Sequence, residues 1–299
     1  MNTKIFEVKC ITNLHIGTSG SAYGVIKNEV EKDVVLNTPL LPASGIKGAL
    51  RDFWRQNNKK YQEKIFGSDP SEQNEGSKGK CKFLNGQMIL RPMRVSLGDY
   101  SYCLVTTPDL IRTMLDTFRD FGVKTYRGIS TNVLDKEDFL KNIFNEIDVV
   151  GKVYYKGGTI KEIEGYSVSS YNIENSESKD VISGIFTMLS YIAQGVPVAI
   201  MKSEVFQMID LPIVARNHLI DGKSNNLWYE ELVPHQSRFY FITLWEGNDG
   251  DNIYKYIIDE IPKIPISFGG NNSIGNGYCS IKIVEEKNEE TNDGEQKEN

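Results

Sequence analysis

Lys47, Arg51 and Arg55 fall four residues apart, and on a helix that spacing stacks three cations along one face. Such a stripe either neutralises consecutive phosphates or solvates the outer face of an amphipathic helix. A second group lies near the C-terminus, where Gly269, Gly270, Gly275 and Gly277 occur within nine residues, directly before a strand-like run. Glycine permits positive φ and lets backbone N–H groups approach an anion closely; an ordinary glycine-rich turn is the plain alternative. The run lacks the Gly-Lys-Ser/Thr ending of a Walker loop, and a Rossmann fingerprint opens a helix rather than a strand.

Histidine is scarce. His15, His218 and His235 have no spacing that suggests zinc. His15 leads a loop of small residues (15–24) and is a candidate general acid or base, or else a structural histidine at a strand end. In the run from Leu227 to Glu231, adjacent residues of a strand point to opposite faces, so Glu230 and Glu231 cannot both enter one site. Trp228 and Tyr229 offer stacking surfaces for bases, or simple packing. No GxSxG or HExxH signature is present.

The elements that must hold these residues follow from periodicity. Lys4 to Cys10 alternates like a strand, and Pro42-Ala-Ser44 opens a helix with Ser44 as cap and Ile46, Leu50, Phe53 and Trp54 as its apolar face. Residues 68–80 read as a polar, mobile loop. Strands are expected at Met88–Ser96 and Ser101–Thr106, followed by a helix opened by Thr107-Pro108. Further on come a strand at 149–155, helices at 181–193 and 203–209, and a hairpin over 211–233 turning at 221–225. A core strand at 239–245, a helix at 253–261 and a last strand at 277–284 complete the pattern. Strands and helices interleave while hairpins break any βαβ rhythm, so the fold class is α+β.

Of the net charge of −6, residues 285–299 contribute −5, with seven acids against two bases. The other 284 residues are near neutral, which leaves room for a local basic groove. The tail is polar and acidic, without aromatics, and reads as disordered. No apolar run approaches a membrane span, no signal peptide opens the chain, and Cys10, Cys81, Cys103 and Cys279 form no CxxC pair. These features point to a cytoplasmic protein with free thiols and no membrane partner.

Taken in order, the pieces resemble a known family. His15-Ile-Gly…Gly24-Val-Ile, Pro42-Ala-Ser-Gly-Ile-Lys-Gly-Ala-Leu-Arg51, Ile65-Phe-Gly67 and the glycine-rich loop before the last strand resemble the RAMP superfamily of CRISPR-associated proteins. Within it, Arg91 to Ser96 and Leu227 to Pro234 resemble internal motifs of the multi-copy backbone subunits of type III-B (Cmr) effectors.

That resemblance implies an RRM-like (ferredoxin-like) core over residues 1–284, with helical insertions and an inserted thumb hairpin at 211–233. It implies copies stacked along a CRISPR guide RNA, with complementary target RNA and other Cmr subunits as partners. Ser44, Lys47, Arg51, Arg55 and the four glycines would then lie against RNA, and His15, Tyr229 and Glu230 would mark the cutting site. Active relatives carry an aspartate after the Gly-Val-Ile triplet, but here Gly24-Val25-Ile26 is followed by Lys27. An ammonium cannot ligate a cation. The expectation is an RNA-holding subunit with impaired cutting, needing no stably bound cofactor. The alternative is a Mg²⁺-dependent endoribonuclease, cutting target RNA at regular intervals with a substitute carboxylate. A guide-processing ribonuclease acting alone through a histidine is a third reading.

Overall fold

The computed structural model describes residues 2–17, 26–57, 59–68, 77–132, 153–155, 159–170, 179–247, 250–261 and 264–284. Most of the loop at 68–80, part of the strand expected at 149–155, Gly24, Val25 and the acidic tail therefore lie outside the described residues.

The chain opens with β1 (Asn2–Cys10) and, after the short strands β2 (Ile26–Asn28) and β3 (Leu40–Leu41), α1 (Ala43–Gln56). After α2 (Gln62–Phe66) and β4 (Cys81–Phe83) comes β5 (Gly86–Gly98), thirteen residues long. Strand β5 leads to β6 (Tyr102–Thr106), α3 (Pro108–Asp120) and a small hairpin of β7 (Thr125–Tyr126) and β8 (Ile129–Ser130). Next are β9 (Val153–Tyr155), β10 (Ile160–Ile163), β11 (Tyr166–Ser170), α4 (Lys179–Ala193), β12 (Val198–Met201) and α5 (Ser203–Met208). A long hairpin, β13 (Ile213–Ile220) and β14 (Lys223–Glu231), precedes β15 (Arg238–Trp245), α6 (Gly250–Glu260), β16 (Ile266–Ser267) and β17 (Tyr278–Ile283).

Strands β5, β15, β1 and β17 lie side by side in that order, each antiparallel to its neighbour. With α1 between β1 and β5, and α6 between β15 and β17, this is the β-α-β-β-α-β order of a ferredoxin-like unit. Everything from residue 99 to 237 is inserted between its second and third strands. Strand β5 carries the sheet into that insertion: its first half pairs β15, and Arg91–Arg94 pair β6. The sheet then continues through β12, β9, β11 and β10.

Strand β15 (RFYFITLW) is buried along its whole length, as a continuous apolar run in a covered central strand should be. Phe6 on β1 stacks on Phe241 at 4.6 Å between ring centroids. Its one charged residue, Arg238, donates to Ile192 O (3.1 Å) and Ala193 O (3.2 Å), satisfying the carbonyls at the C-terminus of α4.

Two local expectations are corrected. Helix α1 starts from Pro42 with no side-chain cap, and Ser44 lies inside the first turn with an exposed side chain. Its cap position is spared because Ala43 N donates instead to Asn85 Oδ1 at 2.8 Å. The hairpin turns on two residues, Asp221 (φ 50°) and Gly222 (φ 77°), rather than on five. Two successive positive φ angles make a type I′ turn, whose twist matches the strands. Thr107 does cap α3, accepting from Leu110 N at 3.2 Å. Among the described residues no helix is long and apolar enough to cross a membrane.

Candidate nucleic-acid interface

Helix α1 buries Ile46, Leu50, Phe53 and Trp54, which turns the opposite face outward. Ser44, Lys47 and Arg51 on that face line an open cleft of about 580 Å³ with Ser68, Ser77, Lys78, Gly79 and Lys82. Among the described residues the lining holds four cations and no acid, with Lys82 paired to Glu246 outside it. The three cations of the expected stripe share the outward side of α1, but only Lys47 and Arg51 line the cleft. Arg51 Nη2 donates to Gly67 O (2.7 Å) and Ser68 O (2.8 Å), so it braces the base of the 68–80 loop. Arg55 is exposed, pairs with Asp52 at 3.1 Å and lies outside the cleft lining. Lys78 and Lys82 join Lys47 in the lining. No helical period links them to Lys47; they arrive because Ser68 N donates to Ser77 O (3.0 Å) and folds the loop ends together.

Helix α1 packs beside β16, which leads into the glycine loop. That loop closes on the histidine loop. Gly270 N donates to His15 O (3.0 Å) and Gly277 N to Asn13 O (2.8 Å). Gly269 has φ 70°, and a Cβ there would stand 2.1 Å from His15 O. A Cβ on Gly277 (φ 88°) would stand 2.2 Å from Phe268 O. These two glycines serve the contact between loops. Gly270 and Gly275 are exposed, and a Cβ on Gly275 would meet nothing within 4 Å. The outer rim at Gly270 and Gly275 is thus exposed and can be approached closely, although both N–H groups are engaged, Gly270 with His15 O and Gly275 with Asn272 O (3.0 Å), whereas Gly277 is buried.

The hairpin projects from this junction, exposed over most of its length and paired at its root with β2. Glu230 is 4% exposed and is saturated. Its Oε1 accepts from Asn28 Nδ2 (3.0 Å) and Trp228 Nε1 (2.8 Å); its Oε2 accepts from Arg216 Nε (3.1 Å) and Asn271 Nδ2 (3.1 Å). A carboxylate has about four lone-pair sites, and all are in use. Burial pushes the Glu230 carboxyl up, but the bonds from Trp228, Arg216 and Asn28 and the nearby His15 outweigh it and hold the group below the usual carboxylate range. Glu231 points the other way, accepting from Val30 N (3.0 Å) and Lys32 Nζ (3.1 Å).

His15 is 8% exposed, with Nδ1 at 3.1 Å from Glu231 O. A carbonyl can only accept, so Nδ1 carries a proton. Tyr229 is half-buried and pairs with Ile26, while Glu230 pairs with Asn28. Lys27 falls in the register shift between those pairs, exposed and with no hydrogen bond or ion pair among the described residues. The structure therefore brings His15, Glu230, Asn28, Asn271 and the glycine loop together and leaves Lys27 outside their bonding.

These residues do not fit a divalent cation. Lys27 offers an ammonium, and Glu230 would have to surrender a hydrogen bond to ligate. No group of three His, Cys, Asp or Glu among the described residues could hold a metal. Residues 18–25 (TSGSAYGV) contain no such side chain at all.

The RAMP superfamily model matches residues 7–280. The chain belongs to the RAMP superfamily. It is similar to the CRISPR system Cmr endoribonuclease Cmr4 of Pyrococcus furiosus, 24% identical over 96% of this chain and 98% of that one. In fold it is similar to a chain of the type III-B Cmr-beta complex bound to cognate target RNA (TM-score 0.67, 19% identity, 95% of this chain and 97% of that one). Oligomeric Cmr4 from Pyrococcus furiosus gives TM-score 0.67 at 16% identity, over 96% and 100% of the two chains.

Family membership is a statement about the whole fold, in which cleft, glycine loop and hairpin adjoin through the packing of α1 on β16 and the bond from Asn271 to Glu230. It does not by itself distinguish the residues that brace that edge, such as Arg51 and Gly277, from those left open, such as Lys47 and Gly270. Sequence reasoning missed Asn28, Arg216 and Asn271 because no motif marks them. They are recognisable only as the donors a buried carboxylate needs.

Proposed function

We propose that this chain is an RNA-binding backbone subunit of a type III-B CRISPR effector in the cytoplasm. Copies align along the guide RNA together with other Cmr subunits, and complementary target RNA is held against the hairpin. The guide's phosphates lie in the cleft of Lys47, Lys78 and Lys82 and against the exposed rim at Gly270 and Gly275, with Ser44 as a donor. Family membership carries this reading, and a cleft beside the glycine loop lined by four cations and, among the described residues, no acid supports it.

The chain holds target RNA without cutting it. What supports this is the pair Lys27 and Glu230: a cation at the position where the family resemblance implies an aspartate, and a carboxylate whose lone pairs are all occupied. The test is target-RNA cleavage by the reconstituted effector with guide and Mg²⁺, comparing this chain with Lys27→Asp. The unchanged chain should bind and leave the target intact, and the variant should gain cutting at regular intervals. Regular cutting by the unchanged chain would contradict the reading and direct attention to Glu29, the exposed acid two residues beyond Lys27.

A further inference from the structure

Glu230 ties its own strand β14, where it accepts from Trp228, to three other segments: β2 through Asn28, β13 through Arg216 and the glycine loop through Asn271. Its position at the hairpin root makes it the point where the angle between hairpin and glycine loop is fixed. A buried carboxylate with two donors on each oxygen has one low-energy orientation, so the groups bound to it are fixed as well.

Three of those groups are neutral and spend on Glu230 the N–H that the geometry directs there. Arg216 differs. It engages Glu230 through Nε alone, and its two Nη groups have no partner among the described residues. Its side chain keeps 25% of its surface exposed, against 5% for that of Glu230. A guanidinium anchored at one edge presents its remaining N–H donors as a planar fork, the geometry that takes two phosphate oxygens at once. Beyond Arg216 the hairpin offers little charge: Asp221 and Lys223 flank the turn, and Asn217, Ser224, Asn225 and Asn226 are neutral and exposed. Arg216 is thus the cation at the root of an otherwise nearly neutral arm.

We propose that Arg216 contacts a phosphodiester of the bound RNA strand, and that Glu230 is the positioning residue that aims it while latching the hairpin to the glycine loop. This rests on the RNA-binding reading above and names a contact within it. Glu230 then has no role as base or metal ligand, which is how a carboxylate persists at this root beside Lys27.

The experiment is binding of the full chain to fluorescent single-stranded RNA at salt concentrations from about 50 to 200 mM, with Arg216→Gln and Arg216→Lys beside the parent. Neutralising one phosphate contact flattens the plot of log affinity against log salt by about 0.7 to 1 per bound copy. Arg216→Gln should weaken binding with that shallower slope; Arg216→Lys should weaken it with the parent's slope, because the charge remains while the fork is lost. A purely structural arginine gives a different pattern: both variants lose thermal stability and their salt plots stay parallel to the parent's. That result, or unchanged affinity in Arg216→Gln, overturns the proposal while parental RNA binding stands. Failure of the parent to bind RNA overturns the functional reading itself, and this contact with it.

Discussion

Replacing glycines one at a time around the C-terminal loop separates what the loop does for the fold from what it offers to a ligand. Gly269→Ala places a methyl group 2.1 Å from His15 O on a residue with φ 70°. The left-handed backbone costs an L-residue about 1–2 kcal/mol. The carbonyl must also move, which breaks its bond from Gly270 N (3.0 Å), a further loss of about 1 kcal/mol. The expected destabilisation is therefore about 2–4 kcal/mol once the displaced backbone is included. Gly275→Ala shares the positive φ (88°) but meets nothing within 4 Å, so only the backbone cost of about 1–2 kcal/mol applies. Gly270→Ala has neither problem, since its Cβ would lie 3.8 Å from His15 Cδ2, an ordinary contact. Urea unfolding of the full chain, read as midpoint shifts at constant slope, measures all three. The order Gly269 > Gly275 > Gly270 is required. Equal losses for Gly269→Ala and Gly275→Ala would refute the argument that close approach to the histidine loop, rather than φ alone, demands glycine at 269.

Other predictions rest on single contacts. Arg51→Ala leaves two carbonyls of the 68–80 loop base unpaired and should cost about 2–3 kcal/mol, whereas Lys47→Ala should leave stability within about 0.5 kcal/mol and weaken RNA binding with a shallower salt slope. The folded carboxyl of Glu230 titrates below its unfolded value, so its contribution is present at neutral pH and is lost as pH falls through the folded value. The stability gap between parent and Glu230→Gln should shrink on acidification below the ordinary carboxylate range of about 4.3; urea midpoints across that range decide, and a widening gap refutes the assignment. Burial raises the Cys81 and Cys103 thiols to about 12, and Cys10 and Cys279 are also buried. A disulfide reagent should modify none of the four in the native chain and all four in urea; rapid native labelling would contradict their burial.

The sequence was most legible where burial imposes a period. Strand β1 places Phe6, Val8 and Cys10 at every second position although Ile5 and Glu7 are buried with them, β15 is apolar apart from Arg238 and Thr243, and α3 carries both a threonine cap and a proline in its first turn, so each is recognisable in isolation. The α+β class followed. The ferredoxin-like order was expected from the resemblance and is visible in the structure as β5-β15-β1-β17. Short elements carried no such signal: β12 is four apolar residues (VAIM), too few to separate strand from helix, and β2 and β3 gain their identity only from their partners. At the candidate interface, residue type placed Lys47 and the glycine loop near one another through the family pattern, but it could not show which groups were already engaged. Arg51 and Arg55 have the same spacing and charge as Lys47, and both are bound within the protein. Glu230 was visible as an acid at the hairpin root, yet its role depends on donors 202, 14, 2 and 41 residues away.

A repeating RNA-holding unit adds one chain at a time along its RNA, so the most direct measurement is the mass of its complexes with RNAs of increasing length, by native mass spectrometry. The mass should rise in steps of one chain as the RNA lengthens, with the RNA recovered intact in the presence of Mg²⁺. A complex fixed at one chain per RNA whatever the length, or RNA recovered as fragments, would contradict it.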